Sequence, residues 1–185
     1  MTSLERALLK IARFLKAKRI PYMVIGGVAN LFWGIPRTTL DIDITIQVKE
    51  KTYASLIHGL KGKFRLRIKN PLAFIAKTNV LPLEDISGVR IDVIFAKIPY
   101  EFRAIQRSKP VRIRGETVRI CSPEDLIIHK IISDRPRDRQ DVCGIIGSLG
   151  IKLNRRYLDP ILKDLAKMLA KPELLRFYRG CFHKI

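Results

Sequence analysis

The chain has 185 residues, 47% of them hydrophobic, and a formal net charge of +19; that length suits one domain with a sizeable core, or one domain with a small helical appendage. The basic excess runs through the whole sequence rather than a tail, and a field of that sign favours polyanions over neutral small molecules, although a Lys/Arg- and Ile-rich composition also suits a hot environment. Cys121, Cys143 and Cys181 are odd in number and widely spaced, which argues against a disulfide framework or a zinc site; no apolar run is long enough to span a bilayer and the first twenty residues have no apolar leader, so the expected setting is the reduced cytoplasm, with no membrane partner.

Residues 3–19 predict an amphipathic helix, with Leu4, Leu8, Ile11 and Leu15 at helical spacing, packing as a lid on a sheet. Pro21 stops it. Met23 to Ile25 then form a short apolar strand, and Gly26 and Gly27 open a helical segment whose free N–H groups and positive dipole end favour a phosphate. Without Cβ atoms they let that phosphate approach closely. After a loop carrying Arg37 and Thr39, a second strand alternates: Leu40, Ile42, Ile44, Ile46 and Val48 share one face, while Asp41, Asp43, Thr45 and Gln47 share the other. Two neighbouring carboxylates repel, and a hard metal that prefers oxygen ligands is the natural counter-ion. A phosphate cradle followed by a carboxylate pair is the equipment for handling a nucleoside triphosphate with Mg²⁺.

Residues 52–60 predict the helix that crosses back. In the stretch that follows, Lys61, Lys63, Arg65, Arg67 and Lys69 recur at every second position. Such a row either tracks a nucleic-acid backbone or guards an edge strand against pairing with other chains; proximity to the aspartates would separate the two. Residues 79–83 and 89–95 read as adjacent strands, the second alternating Val89, Ile91, Val93 and Phe95 with Arg90, Asp92 and Ile94. A helix over 99–108 and a hairpin over 111–120 follow. Ser122 is an N-cap, with Pro123 at the first helical position and Asp125 in the manner of a capping box. Lys130 lies near the end of that helix, where a lysine complements the dipole. Asp138 and Asp141 open the next helix; Asp141 either favours its N-terminus or orients Lys130 or an arginine. Residues 153–169 and 172–182 predict two more amphipathic helices.

Taken together, Gly26-Gly27, Arg37-x-Thr39-x-Asp41-Ile-Asp43, Asp92 on its strand and the segment 122–142 resemble the DNA-polymerase-β-like nucleotidyltransferase superfamily, and within it the stand-alone AbiEii and MenT-type toxin nucleotidyltransferases. The resemblance spans roughly residues 22–142. It implies an α/β fold, a small mixed sheet with flanking helices as a catalytic domain over 1–121, and a helical region over 122–185 packed on it as the other wall of a cleft. It implies transfer of a nucleoside monophosphate from an NTP to an acceptor hydroxyl with two Mg²⁺ ions. Asp41 and Asp43 would bridge both ions, and Asp92 would hold the one that activates the acceptor. Gly26, Gly27, Arg37, Thr39 and Lys130 would serve the triphosphate. Many members have serine where Gly27 stands, so phosphate contact here would rest on backbone N–H groups. The acceptor expected from the charge is RNA, with a tRNA 3′ end foremost and a cognate antitoxin protein as a possible partner; a small-molecule or protein acceptor, or a non-catalytic NTP- or RNA-binding role, stays open.

Overall fold

A capping box starts α1 (Ser3–Ala17): the Thr2 hydroxyl accepts from the Glu5 N–H, and the Glu5 carboxylate accepts from the Thr2 N–H. Its apolar stripe, including Leu8, Ile11 and Leu15, is buried against the sheet. The structure, a computed structural model, describes residues 1–182. Two units compose it, Met1–Val28 with Thr39–Cys121, and Ala29–Thr38 with Ser122–Ile185.

The first unit holds the sheet. In chain order it runs through β1 (Tyr22–Ile25), the start of α2 (Gly26–Trp33), β2 (Asp41–Ile46), α3 (Tyr53–Lys61), β3 (Arg65–Leu66), α4 (Pro71–Thr78), β4 (Val80–Glu84), β5 (Arg90–Phe95), α5 (Pro99–Arg107), β6 (Lys109–Ile113) and β7 (Glu116–Ile120). The strand order is β3-β4-β5-β2-β1-β7-β6. β2 pairs with β5, and β1 with β7, in parallel; the remaining neighbours are antiparallel. The mixed α/β architecture is the one expected. Ile42, Ile44, Ile46, Leu81, Leu83, Ile91 and Val93 are fully buried, so the alternation along β2, β4 and β5 sends the apolar set inward and leaves the aspartates on the other face, while the central β1 buries both Met23 and Val24. The helix α4 between β3 and β4 is an addition to the expected elements. α4 is nonetheless locally encoded: Asn70 accepts the Ala73 N–H, Pro71 takes the first turn, and Asn79 ends it at φ 56°.

The second unit is helical. It comprises residues 29–38 with α6 (Pro123–Ser133), α7 (Pro136–Leu149), α8 (Arg155–Met168) and α9 (Glu173–Phe182), around Leu126, Ile127, Val142, Ile145, Ile146, Leu158, Leu162 and Tyr178. Ser122 caps α6 by accepting the Asp125 N–H. Asp125 does not close the expected capping box: its carboxylate accepts the Ser122 hydroxyl at 2.6 Å rather than the N-cap N–H, and it accepts the Tyr157 hydroxyl at 2.7 Å, which ties α6 to α8. Cys143 and Cys181 form a disulfide, contrary to the expectation of unpaired thiols. Their separation of 38 residues gives no sequence signal; helix packing of α7 on α9 brings them together. Among the described residues no helix is long and apolar enough to cross a membrane.

Candidate active site

The carboxylates gather in the first unit through strand register. β2 and β5 run parallel with Asp41 beside Arg90 and Asp43 beside Asp92, and residues side by side on neighbouring strands present the same face. Asp41, Asp43 and Asp92 therefore stand on one face of two adjacent strands. Asp41 is exposed, while Asp43 and Asp92 are half-buried. Burial, joined by the charge of Asp41, holds the Asp92 carboxyl above the ordinary carboxylate range against the opposing pull of Arg67 and Arg90.

The glycines meet these residues directly. Gly26 adopts φ +65°, and a Cβ there would lie 2.0 Å from Oδ2 of Asp43; a Cβ on Gly27 would lie 2.3 Å from Oγ1 of Thr39. Both positions thus exclude a side chain for reasons of close approach, and Gly26 for conformation as well. Thr39 in turn donates its hydroxyl to Oδ1 of Asp41 at 3.0 Å. Gly26, Gly27, Thr39, Asp41, Asp43 and Asp92 consequently form one constellation. Its oxygen-rich donor set suits a hard divalent cation. Among the described residues, the side chains are not drawn into a group of three or more acidic, His or Cys residues converging on one metal position.

Arg37 and Lys130 lie in the second unit, joined by a residue the motif reading left undecided. Asp141 receives two hydrogen bonds from the Arg37 guanidinium, Nε to Oδ1 and Nη2 to Oδ2, each 2.8 Å, the bidentate geometry that fixes an arginine most firmly. The Lys130 ammonium, 5% exposed, donates to Asp141 Oδ2 at 2.6 Å and to Asp138 Oδ1 at 3.0 Å. Asp138 Oδ2 also accepts from the Ser133 hydroxyl and from Arg135. Burial would raise both carboxyls, but these donors hold each below the ordinary range. Lys130 is therefore an internal cation, bound on two aspartates, rather than one extended to a ligand. Asp138 and Arg135 were missed as members of this network; the recurrence of Asp138 and Asp141 three residues apart, both eight to eleven residues after Lys130, is the signal that one helical face would meet it.

Comparison with known proteins places the chain in a class. The family model described as "Nucleotidyltransferase of unknown function (DUF6036)" matches residues 4–173, and the chain belongs to that family. No functionally curated protein matches it by sequence. Among solved structures it is similar to an antigenic nucleotidyltransferase-like protein from Paracoccidioides brasiliensis, at 19% identity and a TM-score of 0.57, covering 95% of this chain and 92% of that one. It is similar to the lincosamide antibiotic adenylyltransferase LnuA, solved with lincomycin, at 15% identity and TM-score 0.55, covering 78% and 96%. A third similar structure is ANT(2")-Ia in complex with adenylyl-2"-tobramycin, at 21% identity and TM-score 0.57, covering 82% and 92%. At these identities the likeness establishes the nucleotidyltransferase fold.

Proposed function

We propose that the protein is a Mg²⁺-dependent nucleotidyltransferase that moves a nucleoside monophosphate from an NTP to a hydroxyl of RNA, with a tRNA 3′ end as the leading acceptor. The observation that carries this reading is the alignment of Asp43 with Asp92 on parallel strands, with Gly26 packed against Asp43. Asp41, Asp43 and Asp92 would hold two Mg²⁺ ions, which when bound lower the pKa of the acceptor hydroxyl and neutralise charge on the triphosphate. The protein's own groups then do the positioning. Thr39 fixes the Asp41 carboxylate by its hydrogen bond, and the N–H groups from Gly27 onward receive phosphate oxygens at the start of α2. In the second unit Arg37, which the resemblance assigns to the triphosphate, is held in one orientation by Asp141, and Lys130 acts through Asp141 as a positioning residue.

The net charge of +19 supports a polyanionic acceptor. The resemblance to lincomycin- and tobramycin-associated structures supports a second reading, in which the acceptor is a small molecule. A binding module that has lost catalysis is disfavoured by the presence of all three carboxylates, since like charges clustered on one face are a stability cost when nothing uses them. A toxin role with a cognate antitoxin belongs to the same proposal, as does a cytoplasmic location, where NTPs are found; the disulfide is the feature that sits least easily with a reducing compartment.

The test is calorimetric titration of a non-hydrolysable NTP in Mg²⁺ and in EDTA. Binding that needs Mg²⁺ and disappears in Asp41→Ala/Asp43→Ala is expected. Equal binding in EDTA, or in the double variant, contradicts the assignment of these carboxylates.

A further inference from the structure

The outer strand of the sheet carries a feature that NTP handling leaves unused. Lys61, Lys63, Arg65, Arg67 and Lys69 are all exposed, although only Arg65 falls within β3 itself and Lys61 ends α3. Across the ladders, Arg65 stands opposite Glu84, Glu84 opposite Arg90, and Arg90 beside Asp41. One pleat further on, the Arg67 N–H donates to the Pro82 carbonyl, Pro82 stands opposite Asp92, and Asp92 beside Asp43. Directly opposed residues share a face. Arg65 of β3, Arg67 just beyond it and the three carboxylates are therefore on one side of the sheet, in two straight transverse rows.

In the second row Pro82 is the residue between Arg67 and Asp92. Strands lie about 4.8 Å apart, so two steps separate the backbones by about 10 Å, within the span of a long arginine. A groove of about 320 Å³ runs along the strand, lined by Arg65, Leu66, Arg67, Ile68 and Lys69. Glu84 draws Arg65 (2.5 Å) and Arg67 (3.7 Å) onto the sheet face. Edge protection needs charges on the strand but does not require them in register with the aspartates.

We propose that this row is the track for the acceptor: it binds the sugar-phosphate backbone of single-stranded RNA and leads its terminal hydroxyl to Asp92. Arg65 and Arg67, on alternate residues of β3 and its continuation, are about 7 Å apart, on the scale of successive phosphates in an extended strand, and such cations give sequence-independent affinity. The inference rests on the nucleotidyl-transfer reading for its chemistry. The hydroxyl oxygen bonds to the α-phosphorus of the NTP, the α–β anhydride bond breaks, pyrophosphate leaves, and the hydroxyl proton passes to solvent. A polycationic aminoglycoside would meet a row of like charge beside the site, so this surface selects against that class of acceptor.

The experiment is fluorescence anisotropy of a labelled twelve-nucleotide single-stranded RNA with the full chain, alongside Mg²⁺–NTP titration of the same variants. Arg67→Glu/Lys69→Glu should weaken RNA binding at least tenfold and flatten its salt dependence while NTP binding is unchanged. Arg67→Gln/Lys69→Gln should do so by a smaller factor, and serves if the reversal variant fails to fold. Glu84→Gln, which releases both arginines from their carboxylate, should tighten RNA binding several-fold. Undiminished RNA affinity in the charge variants overturns the proposal, as does aggregation of those variants without any loss of affinity, the result an edge guard would give. RNA binding absent from the wild type beside normal Mg²⁺–NTP binding overturns the track and leaves nucleotidyl transfer standing. Track-dependent RNA binding with metal-independent NTP binding overturns the transfer reading instead.

Discussion

A carboxylate resting on a glycine is a demanding contact, because it specifies both partners at once. Oδ2 of Asp43 occupies the space where a Cβ of Gly26 would be, and Gly26 itself holds φ +65°. Gly26→Ala should therefore cost about 1 to 2 kcal/mol from backbone conformation alone and push the Asp43 carboxylate out of line, reducing transfer more than it reduces the melting temperature. Asp43→Ala removes the carboxylate and relieves the crowding. It should stay folded, with a circular dichroism spectrum and melting midpoint close to wild type, and lose transfer by a factor of about a thousand or more. This constellation was legible in the sequence because its rules are local: alternation put Asp41 and Asp43 on one face, and a paired glycine after an apolar strand marked the turn. That Gly26 serves Asp43 sterically, and Gly27 serves Thr39, required the fold.

Between elements, the distinguishing structure of the second unit is the buried group of Arg37, Lys130, Asp138 and Asp141, which joins the loop before β2 to α6 and α7. Removing one partner of a buried ion pair strands the others. Asp141→Ala leaves Arg37 without its bidentate acceptor and Lys130 with one carboxylate instead of two, and should cost about 3 kcal/mol in denaturant unfolding. Lys130→Met leaves Asp141 paired with Arg37 and Asp138 with Arg135 and Ser133. It should cost less, and NTP affinity should survive it better than it survives Arg37→Ala. In the first unit, Asp85 in the turn between β4 and β5 receives the Lys10 ammonium at 2.7 Å and both the N–H and hydroxyl of Ser87. Burial pushes its pKa up, but these donors outweigh it and bring the carboxyl down to about 2 from 3.8. A folded-state pKa below the unfolded one stabilises the protein above the unfolded value and ceases to do so as pH falls through the folded one. About 2 kcal/mol should thus be lost between pH 4 and pH 2, and Asp85→Asn should remove that part of the acid dependence. The Asp85 network was not readable in advance, since its lysine lies 75 residues away. Of the buried group the sequence offers Asp141 orienting Lys130 or an arginine, while Arg37 as that arginine is 104 residues distant. The element types were readable, apart from α4, whose Asn-Pro start is a local helix signal.

At the scale of the molecule, two properties shape behaviour. The disulfide joins α7 to α9 across 38 residues, and closing a loop of that length contributes about 4 kcal/mol. Melting in a strong reductant should lower the transition midpoint by several degrees, and Cys143→Ser/Cys181→Ser should reproduce the shift without reductant. Composition spoke clearly about the charge of the chain and not at all about this cross-link, which only the packing of helices creates. It also could not say that residues 29–38 fold with the helical unit, since the chain leaves that unit and returns to it more than eighty residues later. The net charge of +19 bears on the acceptor. The decisive measurement supplies each of the four α-labelled NTPs with Mg²⁺ to the protein in the presence of total RNA and total protein, beside an Asp41→Ala/Asp43→Ala control. The account predicts label in RNA, from wild type alone and with a preference among the four bases. Label that enters neither pool, or that enters equally with the double variant, contradicts it.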